Sequence, residues 1–333
     1  MAIIRDMIPA FDLFQPASLD EASDLLRRHG SDAWVLAGGQ DSFDWFKDRI
    51  KRPAVVVDLG GIDELRGVRD EAGGLEIGAM TPLAEVVRDS RIAESYPLLA
   101  TAARHVATPQ IRNQGTLGGN VAQDMRCWYY RSGWPCYRAG GNVCYAAAPH
   151  AMNREHCILG ADRCVAVNPS DTAPALLALD ARMVVRRGDR EEEVAARDFF
   201  VGPGTDITRT TVLGEADLLT AVRIPADWGG ARFYFEKVRD RMSWDFALVT
   251  VAAAFRVNAG AIEAARIAAN GVAPTPLRLE ASERAVVGKP VDVHTEAAAG
   301  EAAVRDASPL RHNDFKVPLL RNLVRRAVRS AAS

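Results

Sequence analysis

The sequence predicts an α+β protein of two domains, and three observations carry that expectation. The chain has 333 residues, about two domains at roughly 150 residues each. Helix and strand signals alternate irregularly in the first part, and the last hundred residues repeat a strand–strand–helix rhythm. A turn-rich stretch, Pro225-Ala-Asp-Trp-Gly-Gly230, divides a first domain of residues 1–225 from a second of 226–333. Apolar residues make up 48% and charged residues 25%, enough for a sizeable core. Lys+Arg at 41 against Asp+Glu at 43 gives net charge −2, which argues against the basic face of a nucleic-acid binder and offers no pull toward an anionic membrane. No apolar stretch approaches the ~18 residues of a membrane span. The N-terminal MAIIRDMIPAFDLF lacks the apolar core and cleavage site of a secretory signal.

Along the chain, Ser18-Leu-Asp-Glu21 forms a capping box, and Leu19, Ala22, Leu25 and Leu26 make an apolar stripe closed by Gly30. Ala33 to Ala37 is a buried strand running into Gly38-Gly39, with a short helix expected over Phe43 to Asp48 and another strand at Ala54 to Asp58. Leu65 to Val68 and Leu75 to Ile77 read as a hairpin. Thr81-Pro82 opens a helix, and a second runs from Pro97 to about Val106. Pro174 to Ala181 is helical, and Met183 to Arg186 is a strand. Glu192 to Phe200 and Leu213 to Ile224 follow, the latter ending as a strand. Phe233 to Arg239, Phe246 to Val257 and Ile262 to Ala268 lead into Ala-rich helices.

Two glycine segments carry the first chemical signal. Ala37-Gly38-Gly39-Gln40-Asp41-Ser42 follows a strand, where glycine lets a backbone approach a ligand and successive N–H groups cradle an anion. The spacing is not G-x-G-x-x-G, and the following helix is too short for a good βαβ crossover. Alone, this segment is as readily a tight turn. Arg112-Asn-Gln-Gly-Thr-Leu-Gly-Gly-Asn120 has three glycines in five positions, interleaved with Thr116 and Asn120; alone it reads as a surface loop.

Four motifs in order, VLAGGQDS at 35–42, QIRNQGTLGGN at 110–120, NPSDTAPALLALDA at 168–181 and YFEKVRDRMSWDFALV at 234–249, together resemble the FAD-binding medium subunits of the molybdenum hydroxylases. The resemblance spans essentially the whole chain. It implies a vanillyl-alcohol-oxidase-type FAD-binding domain of two subdomains, followed by a small α+β C-terminal domain. It further implies that Val35, Leu36, Ala37, Gly38, Gly39, Gln40, Asp41 and Ser42 wrap the FAD pyrophosphate, and that Thr116, Gly119 and Asn120 hold the phosphate and ribityl side. Asp171 would bond the polyol region, and Lys237 would reach the isoalloxazine, favouring the reduced anion. Gln40 departs from the family's usual Thr, which removes a hydroxyl contact but not a backbone grip.

All five cysteines lie between Cys127 and Cys164. An odd number in one short window is not a disulfide framework and reads as a metal or iron–sulfur site. Cutting out residues 125–164 joins Gly119-Asn-Val-Ala-Gln-Asp124 to Val165-Ala-Val-Asn-Pro-Ser-Asp171, which reads as the family's uninterrupted loop, so about forty residues are inserted beside the flavin. Gaps of 8, 7 and 19 residues separate Cys127, Cys136, Cys144 and Cys164. They match neither zinc knuckles nor ferredoxin runs, and are compatible with a cluster held by a folded loop. The aromatics of the insert, including Trp128, Tyr129, Trp134 and Tyr145, read as its private core, and His150 and His156 as surface or core residues. The insert resembles that of two branches of the family, the bacterial periplasmic-type aldehyde oxidoreductases and the 4-hydroxybenzoyl-CoA reductases, whose FAD subunits carry a [4Fe–4S] cluster. RCWYY, PCYR and GADRCVAVNPSD favour the first. This implies Cys127, Cys136, Cys144 and Cys164 as ligands, with Cys157 spare.

The expected function is electron transfer in a heterotrimer. A large partner would carry molybdopterin, a small partner would carry [2Fe–2S] centres, and FAD on this chain would serve an external acceptor, most simply in aldehyde oxidation. A 4-hydroxybenzoyl-CoA reductase-type subunit and a zinc-stapled scaffold without flavin are the alternatives. The expected location is the cytoplasm, or the periplasm when a partner carries a twin-arginine signal.

Overall fold

The computed structural model describes residues 7–71 and 73–332. Residues 1–6, part of the segment read above for a secretory signal, Ala72 and Ser333 lie outside the described residues. Three sheets organise the chain.

The first is small and parallel: β1 (Asp12–Phe14), β2 (Ala33–Leu36) and β3 (Val55–Asp58), in the order β1-β3-β2. The helix Leu19–His29 packs on it through Ala22, Leu25 and Leu26. The capping box forms in a shifted way: Ser18 Oγ accepts from the N–H of Glu21 at 3.2 Å, but Glu21 Oε2 accepts from Ala17 N rather than from its own cap residue.

The second sheet is antiparallel, ordered β4-β5-β8-β6-β7, from β4 (Val68–Glu71), β5 (Gly74–Gly78), β6 (Arg182–Arg187), β7 (Arg190–Ala195) and β8 (Asp217–Pro225). The hairpin expected from Leu65 starts three residues later. Leu65 is buried in a 3₁₀ turn instead, where its carbonyl accepts from Met80 N. Helices Leu83–Arg88, Pro97–Arg104 and Ala173–Ala178 cover this sheet and form the largest core with Ile77, Val185, Val222 and Ile224.

At the expected boundary Trp228 is buried, its Nε1 donating to Asp180 at 2.9 Å. Beyond it come β9 (Arg232–Val238), β10 (Val249–Asn258), β11 (Ala261–Asn270) and β12 (Leu277–Arg278), ordered β12-β11-β10-β9. β10 and β11 are buried on both faces. One face, with Ala252, Ala254 and Ala268, joins the core of the second sheet. The other, with Val251, Phe255 and Ile267, packs on helices Val293–Val304 and Lys316–Ser330. The alanines suit a strand pressed between two layers, because a small side chain lets sheet and helices close up. The C-terminal sheet is thereby fixed against the first part of the chain.

Candidate functional site

A cleft of about 410 Å³ opens between the first sheet, the second sheet and the β9–β10 connection, within the roughly 300–1,000 Å³ typical of ligand sites. The end of β2 and the loop after it form one wall: Val35, Ala37, Gly38, Gly39, Gln40, Asp41 and Ser42 all line the cleft. Leu36 does not; the period of the strand turns it into the core with Trp45, Phe46 and Val56. Among the described residues, the N–H groups of Gly38, Gly39, Gln40 and Asp41 find no acceptor in the chain. Four successive free donors facing a cleft are what an anion such as a pyrophosphate requires. Gly39 sits at φ +73°, and Gly38 is forced by contact: a Cβ there would lie 2.1 Å from the carbonyl oxygen of Gln114. The two glycine segments cross at that point.

The second segment is not a loop. Pro109–Gln114 and Leu117–Ala122 are short helices, and Thr116 caps the second, its Oγ1 accepting from Gly119 N at 3.0 Å. Thr116, Gly119 and Asn120 line the cleft, but the amides here are already used, Gly118 N by Ala79 O and Asn120 N by Thr116 O. The segment that alone reads as a surface loop is therefore a helical wall of the cleft. Asn120 has a further task. Its Oδ1 accepts from Ser170 Oγ at 2.8 Å, Thr172 Oγ1 at 2.6 Å and Thr172 N at 3.3 Å, which fastens the chain before residues 125–164 to the chain after them.

Asp171 lines the cleft, and Lys237 stands behind it. The Lys237 ammonium donates to Asp171 Oδ2 at 2.6 Å, Asp245 O at 2.7 Å and His105 O at 3.1 Å. Those three acceptors use its three N–H groups, so the ammonium expected at the isoalloxazine faces Asp171 instead. Burial pushes Asp171 up and Lys237 down, each opposed by the charge of the other.

Residues 125–164 form a turn-rich excursion with one short helix, Trp128–Arg131. Tyr129, Trp134 and Tyr145 pack together, with ring centroids 4.7–6.1 Å apart. Tyr130 instead packs on Trp45 at 5.2 Å, and Trp128 is exposed. Arg126 and Arg131 both donate to Asp41 Oδ1 at 2.6 Å, and Arg138 donates to Asp124 at 2.5 Å and to Ile207 O at 2.7 Å. Asn313 and Lys316 donate to the carbonyl of His156 from the C-terminal side. The excursion is thus tied to both parts of the chain.

No described cysteine is in a disulfide. Cys127 packs at the junction of two small apolar clusters, one with Cys136 and Tyr145, the other with Cys144, Cys157 and Val165. Burial pushes the thiol of Cys127 up, that of Cys164 to about 11 and that of Cys157 to about 12. The N–H groups of Tyr130 and Tyr129 favour the Cys127 thiolate, and that of Ala166 favours the Cys164 thiolate. His156, expected to be a surface or core residue, is buried with Nε2 3.3 Å from Cys127 Sγ. Among the described residues no three of His, Cys, Asp and Glu come close enough to share one metal ion.

Sequence reasoning assigned none of Met80, Val106, Arg126, Trp244 or Phe246 to the site, yet all line the cleft. Trp244 and Phe246 lie in the quoted 234–249 motif, which was a usable signal; the apolar Met80 and Val106 look like ordinary core residues in sequence.

Comparison with known proteins gives this geometry its context. The family described as the FAD binding domain in molybdopterin dehydrogenase matches residues 9–227, and the CO dehydrogenase flavoprotein C-terminal domain matches residues 233–331. The aldehyde oxidoreductase FAD-binding subunit PaoB of Escherichia coli is 33% identical over 86% of this chain and 87% of its own. The carbon monoxide dehydrogenase medium chain of Hydrogenophaga pseudoflava is 30% identical over 97% of each chain. A solved structure of that bacterium's carbon monoxide dehydrogenase superposes with a TM-score of 0.77 over 98% of each chain. Quinoline 2-oxidoreductase of Pseudomonas putida gives 0.76 at 27% identity, over 98% of this chain and 100% of that one. With both of its parts matched in order, the chain belongs to the family of FAD-binding subunits of the molybdopterin-dependent, molybdenum hydroxylase oxidoreductases.

Proposed function

We propose that this chain carries FAD and a [4Fe–4S] cluster as the electron-transfer subunit of a heterotrimeric molybdopterin-dependent enzyme that oxidises aldehydes to carboxylates. The observation that carries the reading is the pairing of four unaccepted amides at Gly38–Asp41 with a cysteine-bearing excursion ion-paired into the rim of the same cleft. Residues 1–225 form the FAD-binding domain, and 226–333 close the cleft through Trp244 and Phe246.

The residues present fit a flavin dinucleotide. Val35 and Ala37 to Ser42 hold the pyrophosphate, Thr116, Gly119 and Asn120 shape the opposite wall, and Asp171 presents a carboxylate for a polyol hydroxyl. Leu36 and Lys237 support these from behind. When bound, FAD accepts electrons singly and passes them on in pairs. This chain's own residues then orient the ring and exclude water from it, and no acid–base pair on the chain is needed.

The four cysteines are candidates for a cluster: Cys127, Cys136, Cys144 and Cys164 are free and partly or fully buried, Cys127 joins the apolar cluster of Cys136 to that of Cys144, and Cys164 neighbours Cys127 and Cys144. A structural zinc site draws its four ligands to about 2.3 Å from one point, a convergence the described residues do not show. Ligation requires thiolates; burial raises the Cys127 and Cys164 thiols, and the N–H groups of Tyr130 and Tyr129 at Cys127 and of Ala166 at Cys164 oppose that rise. The aldehyde assignment rests on the likeness of the insert to the aldehyde oxidoreductase branch and on similarity to an aldehyde oxidoreductase subunit. Partners are a large molybdopterin subunit, a small [2Fe–2S] subunit and an external acceptor.

Absorbance with FAD and iron analysis of the purified chain tests this. The expected protein is yellow-brown with about four irons per FAD. A colourless, zinc-containing protein overturns the proposal, and a flavoprotein without iron removes the cluster from it.

A further inference from the structure

We infer that Arg126, the second residue of the insert, is the cation that holds the anionic part of the bound dinucleotide, so that the insert completes the cofactor site besides presenting cysteines. This rests on the FAD reading above.

The charge of the cleft motivates it. Among the described lining residues six are aspartates, Asp41, Asp44, Asp124, Asp171, Asp217 and Asp245, and one is a cation, Arg126. A pyrophosphate brings negative charge into that surroundings. Several of the aspartates are neutralised from outside the cleft. Lys237 pairs with Asp171, Arg138 with Asp124, Arg187 with Asp217 and Arg241 with Asp245, and none of these cations lines the cleft. They lower the repulsion without giving the ligand a partner.

Arg126 is built differently. Its Nη1 donates to Asp41 Oδ1 at 2.6 Å, its Nη2 lies 3.6 Å from Asp44, and its guanidinium lies over the ring of Phe246 at 4.6 Å. Three elements therefore aim it: the loop after β2, the short helix following that loop, and the β9–β10 connection. Its side chain keeps 29% of its surface exposed. A guanidinium has five N–H donors, and Arg126 uses one of them within the chain. Arg126 lines the same cleft as the free amides of Gly38 to Asp41. Fork geometry suits phosphate oxygens.

Asp41 accordingly acts as a positioning residue. A carboxylate next to a phosphate would repel it, but Asp41 Oδ1 is already shared between Arg126 and Arg131. Arg131, stacked on Trp45 at 3.7 Å and away from the cleft, offsets the charge of Asp41 and leaves Arg126 free to serve the ligand.

The test is reversible FAD and riboflavin binding to the deflavinated full-length protein, followed by flavin fluorescence at several ionic strengths, with iron measured in parallel. In R126Q the FAD dissociation constant should rise about ten- to a hundredfold and lose most of its salt dependence. Riboflavin affinity, which involves no phosphate, should stay as in the wild type. R126K should remain within a few-fold of wild type and keep the salt dependence. R126Q binding FAD like wild type, R126K as weak as R126Q, or equal loss of riboflavin affinity in R126Q each overturns the inference. Joint loss of iron and FAD in both variants also overturns it, because Arg126 then serves the fold of the insert. Failure of the wild type to bind FAD is a separate outcome and strikes the proposed function itself.

Discussion

Lys237 on β9 and Asp171 on the segment leaving the insert form an ion pair at 2.6 Å, their side chains 0% and 6% exposed. The pair joins the C-terminal sheet to the cleft wall. The two backbone carbonyls that also accept from Lys237, those of His105 and Asp245, draw in two further strands of chain around the same ammonium.

Removing one partner of such a pair leaves a buried charge uncompensated. Lys237→Met should cost about 3–5 kcal/mol in urea unfolding. The double variant Lys237→Met/Asp171→Asn should recover part of that loss, since the carboxylate is gone. A single variant within about 0.5 kcal/mol of wild type would show that the pair contributes nothing to the fold.

Gly38 and Gly119 should fail in different ways. A Cβ at Gly38 meets the Gln114 carbonyl oxygen at 2.1 Å, backbone against backbone, so Gly38→Ala must push the two glycine segments apart. At Gly119 the nearest atoms are Thr116 Oγ1 at 3.0 Å and Ala37 Cβ at 3.4 Å, and the residue borders the cleft. Gly38→Ala should lower the melting temperature and FAD content together. Gly119→Val should lose FAD while keeping much of its iron and a transition closer to wild type. Full FAD occupancy in Gly119→Val would remove that helix from the site.

Lys316 is fully buried, and its amine donates to the carbonyls of Gly271, Glu155 and His156 at 2.7–3.0 Å. Burial is the main cause that lowers it from 10.5 to about 8. The folded protein thus releases this proton near pH 8, and the unfolded chain holds it until about pH 10.5. Across that window the unfolded state binds more protons, so stability contributed by this group rises with pH. The rise is of order 3 kcal/mol for a shift of this size. The difference in unfolding free energy between wild type and Lys316→Met, followed from pH 7 to pH 10.5, should grow in favour of wild type. A flat difference means Lys316 titrates normally.

Much of this was legible in the sequence, and the exceptions have physical reasons. Ser18 and Glu21 announced their helix because capping is local. Gly38 and Gly39 announced a close approach, and residues 168–181 and 234–249 announced what lies around the cleft. Leu36 was read with its neighbours on the cleft wall, but alternation along β2 turns it to the core, a face that the pairing of β2 with β3 fixes. Gly118 and Gly119 read as loop because glycine disfavours helix, yet Thr116 caps them into one, held by contacts to Ala79 and Thr81 from outside the segment. The arginines were invisible as site residues. What Arg126 does depends on Asp41 and Phe246, 85 and 120 positions away, and no local pattern encodes such partners.

The cysteines give the last prediction: Cys157→Ala should keep iron and the reduced-cluster EPR signal, whereas Cys164→Ala should lose both. Cys157 is 1% exposed in an apolar cluster with Ala146 and Val165. Its N–H donates to Val165 O at 2.9 Å, and its carbonyl accepts from Asn313. These are backbone ties that alanine preserves, and a buried free cysteine behaves as a small hydrophobe. The variant should therefore be destabilised by only about 1 kcal/mol. Cys164 is the last residue of the excursion, and Val165 and Ala166 after it are buried. The chain then runs to Ser170 and Thr172, which Asn120 clasps. A ligand at position 164 is consequently held by a segment that is fixed before any metal arrives, and the Ala166 N–H favours its thiolate. Burial raises both thiols, to about 12 at Cys157 and about 11 at Cys164, so the distinction rests on the segment that holds each. Iron retained in Cys164→Ala and lost in Cys157→Ala would exchange the two roles. The fourth ligand would then belong to the segment that Asn313 and Lys316 hold, not to the one Asn120 holds.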